Sequence, residues 1–211
     1  MSYVDFYFTE MGRKILEIEA RYIAGRIIGN KTLSIGCGPG LIEERIQQLA
    51  GGRIICADID RDMLSQHPGN VEKIVCRAEY LPFKKEIFDT ILFVTSLEFI
   101  DDYEKALKEG YRVLRKGGKV IILLLNQKSR YFKERMEKRG SYIARNIKHL
   151  DIDSMEERIG IIFFILNRDF IVTLEGNNVF EEGDEDDASI IAIEGVKKLA
   201  ISYSVRFRLE D

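Results

Sequence analysis

Between residues 9 and 28, apolar side chains return every three or four positions: Ile15, Ile18, Tyr22, Ile23 and Ile27, with Arg13, Lys14, Glu17 and Arg21 between them. That spacing predicts an amphipathic helix, ended by Gly29-Asn30. The period then changes. Short apolar, β-branched runs at 32–35, 53–58, 71–76, 88–95 and 119–125 read as buried strands. Helical stretches separate them at 41–50, briefly at 61–66, and at 101–118, where Asp101-Asp102 open the helix and Lys116-Gly117-Gly118 close it. Near-continuous apolar strands joined by helices imply a parallel sheet covered on both faces. With right-handed crossovers, the fold class is a doubly wound α/β domain.

Beyond Leu125 the alternation lapses. Residues 127–149 hold eight basic side chains against Glu134 and Glu137, so this segment carries +6 and the rest of the chain −9. A helix is predicted over Ser154–Leu166. Strands follow at 169–175 and 189–194, joined by an acidic loop at 181–187. A strictly alternating strand, 201–210, ends the chain and would offer an edge for a homodimer. The expected whole is a single domain. It has a seven-stranded, mostly parallel sheet, an N-terminal helix over 1–30, a basic lid over 127–153 and an extra C-terminal strand.

Composition narrows the function classes. The 211 residues are 45% hydrophobic and 32% charged, enough to bury a core. Thirty-two basic against 35 acidic residues argue against nucleic-acid binding by bulk charge. The longest nearly apolar run, Ile159–Leu166, is far short of the roughly 20 residues a membrane span needs. The N-terminus lacks the basic and apolar regions of a signal peptide. Three cysteines at no metal-like spacing suggest a reducing, cytoplasmic setting. The acidic loop 181–187 lacks the D-x-D-x-D-G order of a calcium loop, so no metal is expected. Abundant Ile, Lys, Arg and Glu with no Trp give a thermophilic cast.

The candidate chemistry begins at the glycine cluster Gly36-Cys37-Gly38-Pro39-Gly40, which follows the first strand of the alternation. In a doubly wound sheet, ligands bind beyond the carboxyl ends of the strands, beside that strand. Gly36 and Gly38 would let backbone N–H groups approach a ligand, and Gly40 would let the next helix pack closely. Asp58, ending the second strand, could accept both ribose hydroxyls. Together these point to a nucleoside-containing cofactor. The dinucleotide pattern G-x-G-x-x-G is not met, because Leu41 holds the sixth position. The tighter spacing suits a nucleoside without phosphates, which points towards S-adenosylmethionine (SAM).

Five segments in order, LSIGCGPG (33–40), CADIDRDML (56–64), AEYLPF (78–83), FDTILFVTSLEFIDD (88–102) and YRVLRKGGKVII (111–122), resemble the successive motifs of class I SAM-dependent methyltransferases. The group they most resemble is the small-molecule set typified by ubiquinone and menaquinone biosynthesis. The resemblance implies a Rossmann-like methyltransferase fold with SAM as cofactor. Gly36 and Gly38 would line its methionine part, Asp58 would hold the ribose and Ile59 would pack on the adenine. Ala78 and Glu79 would meet the adenine edge, and Thr95 and Ser96 would face the methionine amino group. Cys37, inside the loop, is counted with these residues, although its side chain reads as a small buried filler. Two positions depart from the pattern. Ser34 and Arg77 stand where acids are usual, and Arg77 cannot accept a hydrogen bond.

For the acceptor side, Glu98 just past the fourth strand, Arg130 and Arg135 in the basic segment, and His149 are the candidates. His149 would be either a solvated histidine or a general base, and no catalytic group is evident. His67 reads as a turn residue. The reading is methyl transfer to a small, perhaps anionic, molecule. The alternatives are a SAM-binding protein without turnover, or a methyltransferase of RNA or protein. In the resembling family, methylases of nucleic-acid bases often carry an Asn-Pro-Pro-Tyr-type motif where this chain reads TSLEF, which argues against amino methylation of a base.

Overall fold

The computed structural model describes residues 3–66, 69–176 and 178–198. Five strands are parallel: β1 (Lys31–Ile35), β2 (Arg53–Asp58), β3 (Glu72–Val75), β4 (Phe88–Val94) and β5 (Leu114–Leu125). Three more, β6 (Phe163–Glu175), β7 (Asn178–Glu182) and β8 (Ala188–Lys197), pair antiparallel. The order across the sheet is β3-β2-β1-β4-β5-β8-β6-β7. The sheet therefore has eight described strands where seven are expected. The extra one is β7, formed where the chain turns back on β6; its pairing takes up Glu181 and Glu182, so the acidic loop expected over 181–187 begins only at Gly183.

Strand alternation sends side chains to two cores. On β4, Ile91 and Phe93 enter one, and Leu92 and Val94 enter the other. The first core is closed by α5 (Tyr103–Val113) and α8 (Ile152–Ile162), through Ala106, Leu107, Met155 and Ile159. The second is closed by α2 (Glu10–Ala24), α3 (Leu41–Ala50) and α6 (Arg130–Glu137), through Ile15, Ile23, Ile46 and Phe132. Shorter helices are α1 (Tyr3–Tyr7), α4 (Arg61–Ser65) and α7 (Tyr142–Asn146). No described helix is long and apolar enough to cross a membrane.

Several boundaries differ from the pattern-based expectation, among them the N-terminal helix, which is divided into α1 and α2 and ends at Ala24. The helix expected over 101–118 stops at Val113, because Leu114 pairs with Phe88 and joins β5. The helix expected through Leu166 stops at Ile162, because Phe163 is fully buried and the backbone from there pairs with β8. The basic segment, expected as one lid, holds two separate helices, α6 and α7. The strand expected at 201–210, with the homodimer edge it would offer, and His67 lie outside the described residues.

The start of β1 is pinned by Asp89 on β4. Its Oδ2 accepts the N–H groups of Asn30 and Lys31 at 2.8 and 2.9 Å, and its Oδ1 meets Arg115 at 2.7 Å. Hydrogen bonds to a charged group are the stronger kind. Asp89→Ala is expected to cost about 1–2 kcal/mol in urea unfolding. Asp89→Asn, which keeps one carbonyl acceptor, should recover part of that loss. Equal stability of the alanine variant and the parent would show the clasp to be idle.

Candidate active site

β1 lies between β2 and β4, so the chain leaves it at the point where the sheet order reverses. A cavity of about 330 Å³ opens there. Gly36, with φ +71°, forms one wall. A Cβ at this position would meet the Ser96 side chain at 2.7 Å, so only glycine lets the loop lie this close to the end of β4. Ser96 itself is fixed, its hydroxyl donating to the Ile35 carbonyl at 2.8 Å. Thr95 beside it adopts φ +44°, an uncommon conformation for a residue with a Cβ.

Asp58 ends β2 and holds the loop. Its Oδ2 accepts the Gly38 N–H at 2.7 Å and its Oδ1 accepts the Asp60 N–H at 2.8 Å. Each carboxylate oxygen keeps a further lone pair for a ligand hydroxyl. Burial pushes the Asp58 pKa upward, and the N–H bonds from Asp60 and Gly38 oppose that shift. Ile59, 58% exposed yet on the cavity wall, offers an uncovered apolar face next to this carboxylate.

Arg77, Ala78 and Glu79 also line the cavity. Arg77 donates to Glu79 at 2.9 Å and to Asp101 at 3.2 Å, and Lys148 reaches the same Asp101 at 2.6 Å. The arginine that replaces an expected acid thus sits between two carboxylates that can still accept from a ligand. The second departure also has a carboxyl beside it. Ser34 donates to Oε1 of Glu43 on α3 at 2.6 Å, so a buried carboxyl stands behind the glycine loop after all.

Of the ten residues expected around a cofactor, eight line the cavity: Gly36, Gly38, Asp58, Ile59, Ala78, Glu79, Thr95 and Ser96. Cys37 and Gly40 do not. Cys37 packs into the second core beside Cys56, and burial raises its thiol pKa. Gly40, at φ +83°, caps α3 against Cys56 and Val71.

The acceptor-side candidates fare differently, because none of the four reaches the cavity wall. Glu98 is fully buried, and its Oε1 accepts the Leu125 N–H at 2.6 Å, so it joins the turn after β4 to β5. The Nε2–H of His149 donates to the Ile100 carbonyl at 2.8 Å, and its ring packs edge-on against Tyr103. Arg130 is exposed and pairs with Glu134 at 2.6 Å. Arg135 lies over the rings of Tyr131 and Phe6, at 4.9 and 5.3 Å from their centroids.

What the basic segment does bring to the cavity is Tyr131, Tyr142, Ile143, Asn146 and Lys148, mostly aromatic and amide rather than cationic. Phe6 and Tyr7 of α1, Ile15 and Glu19 of α2, Val172 of β6, and Ser189 and Ile190 of β8 also line it. Sequence reasoning did not single these out. For Glu19 a signal existed: it lies four residues after Ile15 and four before Ile23, on the buried stripe of its own helix.

Three glutamates at or around the site are buried with raised pKa values. Glu19 is pushed to about 8 by burial and by Glu43. Glu43 is pushed to about 7 by burial, against the Ser34 bond, and Glu98 to about 7 by burial, against the Leu125 N–H. All three exceed their ordinary 4.5, so the folded chain keeps protons that the unfolded chain releases. Their contribution is whole below about pH 4.5 and is lost as pH rises through 7–8. Carboxylates lowered by ion pairs, such as Glu17 and Asp101, change their contribution below that window. Urea unfolding should therefore show stability falling from pH 5 to 8, and Glu43→Gln should flatten part of the slope. A stability that rises over that range would contradict the assignment.

Residues 33–122 match a family model described as a methyltransferase domain. Over 106 residues the chain is 35% identical to the ubiquinone/menaquinone biosynthesis C-methyltransferase UbiE of Cronobacter sakazakii, covering 45% of this chain and 42% of that protein. It is 36% identical to the same enzyme of Klebsiella pneumoniae, with the same coverage. The chain thus spans well under half the length of these curated relatives. Among solved structures it resembles a SAM-dependent methyltransferase of Thermotoga maritima, described as a possible histamine N-methyltransferase. That match has TM-score 0.74 and 24% identity over 93% of this chain and 94% of the other. A SAM-dependent methyltransferase of Archaeoglobus fulgidus matches with TM-score 0.71 and 17% identity, over 88% and 94%. At these identities the structural likeness shows the fold.

Proposed function

We propose that this chain, whose residues 33–122 match a methyltransferase-domain model, is a class I SAM-dependent methyltransferase that binds SAM in the cavity beside β1 and transfers its methyl group to a small organic acceptor. The observation that carries this reading is the Asp58 carboxylate. It is fixed by two backbone N–H groups, one from the glycine loop, and still has lone pairs facing the cavity. The cradle suits a nucleoside: an acceptor for ribose hydroxyls, the flat apolar pair Ile59 and Ala78 for the base, and carboxylates at Glu79 and Asp101 for an exocyclic amine.

SAM supplies an electrophilic methyl carbon on a sulfonium sulfur, so direct displacement by an acceptor needs alignment more than covalent help from the protein. Gly36 and Ser96 would border the amino-acid part of the cofactor, and Asp58 would fix the ribose end. The aromatic side chains Phe6, Tyr7, Tyr131 and Tyr142 would exclude water around the acceptor. The two helices of the basic segment would serve as a cover through Tyr131, Tyr142 and Ile143, not through their arginines. Arg130 and Arg135 lie outside the cavity, and the cations on its wall, Arg77 and Lys148, are already paired with carboxylates, which argues against an anionic acceptor.

Calorimetry with S-adenosylhomocysteine and SAM tests this reading. Asp58→Ala should weaken binding by about 1.5–3 kcal/mol, roughly 10- to 150-fold. Unchanged affinity in that variant would remove Asp58 from the site. NADH binding more tightly than SAM would return the dinucleotide reading that Leu41 argued against.

A further inference from the structure

The cavity runs past the cradle into a chamber that the cofactor residues do not account for. One side is Glu19 on α2, 3% exposed. Its Oε2 has no hydrogen-bond partner among the described residues. Another side is Ser189 at the start of β8, 2% exposed, whose Oγ also lacks a partner. Around them stand Tyr131, Phe6 and Val172, the last with φ +64°. That backbone conformation is a genuine outlier for a β-branched residue, and such strain gathers where a ligand is held.

A buried carboxyl without a donor costs free energy that nothing described in the chain returns. The charged or titratable groups that act on Glu19 or feel it, Glu43 from α3 and Tyr131 from α6, include no cation. The basic side chains on the cavity wall are Arg77 and Lys148. Arg77 is tied to Glu79 and Asp101, and Lys148 to Asp101. Arg135 lies over the rings of Tyr131 and Phe6 but does not line the cavity, so an anion entering the chamber would meet Glu19 with no cationic side chain among the lining residues named around it. A neutral alcohol offers one donor. An amine offers two or three N–H donors, a charge opposite to the carboxylate, and a cation for the aromatic rings.

We propose that Glu19, with Ser189, is the specificity-determining end of the acceptor site and that it selects a small amine. The burial that keeps Glu19 protonated near neutral pH in the empty chamber is the same burial that strengthens its pairing with a bound ammonium. This inference rests on the cofactor reading above. Glu43 and Glu98 each hold a donor from their own chain, and the Glu98 oxygen left without one lies off the cavity wall, whereas the open oxygen of Glu19 belongs to a residue that lines it.

The test uses the full chain saturated with S-adenosylhomocysteine at pH 7. Two series are titrated by calorimetry: phenethylamine, 2-phenylethanol and 3-phenylpropanoate, then butylamine, butanol and butanoate. In at least one series the amine should bind tenfold or more tightly than both analogues. Glu19→Gln should reduce that preference below threefold, and Ser189→Ala should weaken the amine alone by three- to tenfold. The proposal is overturned if no amine is preferred, or if Glu19→Gln keeps the preference. It is also overturned if Glu19→Gln melts several degrees lower and loses S-adenosylhomocysteine, which would mark Glu19 as a packing residue. Failure of S-adenosylhomocysteine to bind the parent chain would instead sink the cofactor reading, so the two failures are distinguishable.

Discussion

β1 hydrogen-bonds in parallel to β2 on one side and to β4 on the other, so three strands bring their carboxyl ends to the same edge of the sheet. Everything at the cavity follows from that pairing. It sets the glycine loop after β1 beside Asp58 at the end of β2, and both beside Thr95 and Ser96 after β4. The 2.7 Å bond from Gly38 to Asp58 then joins the loop to the neighbouring strand, and Gly36 allows contact with Ser96. A slip of one residue in β1 would turn its buried side chains to the wrong core and pull the loop from Asp58 together.

Polar groups inside this sheet are arranged in two ways. Glu43 and Glu98 sit in the core and receive a donor each, from Ser34 and from the Leu125 N–H. They connect elements: α3 to β1 in one case, and the short turn at Leu97–Phe99 to β5 in the other. The carbonyl of Glu98 also accepts the N–H groups of Lys148 and His149, which ties the end of the basic segment to the site edge. No described group donates to the Glu19 Oε2, which belongs to a residue on the cavity wall. Glu98 also keeps its Oε2 without a partner, but away from that wall, so it is the position on a cavity, not burial or an open oxygen alone, that sets Glu19 apart.

The parallel half of the fold was legible because each strand there is a short β-branched run bounded by glycine or a helix. The expected limits of α3 and β2 coincide with those observed. The antiparallel half was harder. Phe163–Leu166 continues an apolar stretch without a break, and periodicity cannot separate a buried helix end from a strand there. The pairing with β8 decides it. In the site, motif residues were readable because backbone geometry dictates them. The acceptor candidates were chosen by charge and by nearness in sequence to strand ends, whereas the chamber is built by α1, α2, β6 and β8, brought in from both ends of the chain. Arg130, Arg135 and His149 carry suitable chemistry, yet helix and turn geometry spends them on Glu134, on the faces of Phe6 and Tyr131, and on the Ile100 carbonyl.

The central claim is that one cavity holds a nucleoside cofactor at Asp58 and an acceptor beyond it at Glu19. A crystal structure of the chain with S-adenosylhomocysteine tests this most directly. The account predicts ribose hydroxyls on the Asp58 carboxylate, adenine between Ile59 and Ala78, and the sulfur facing the chamber that contains Glu19 and Ser189. A nucleoside bound away from Asp58, or a sulfur facing bulk solvent with the Glu19 chamber closed off, would contradict it.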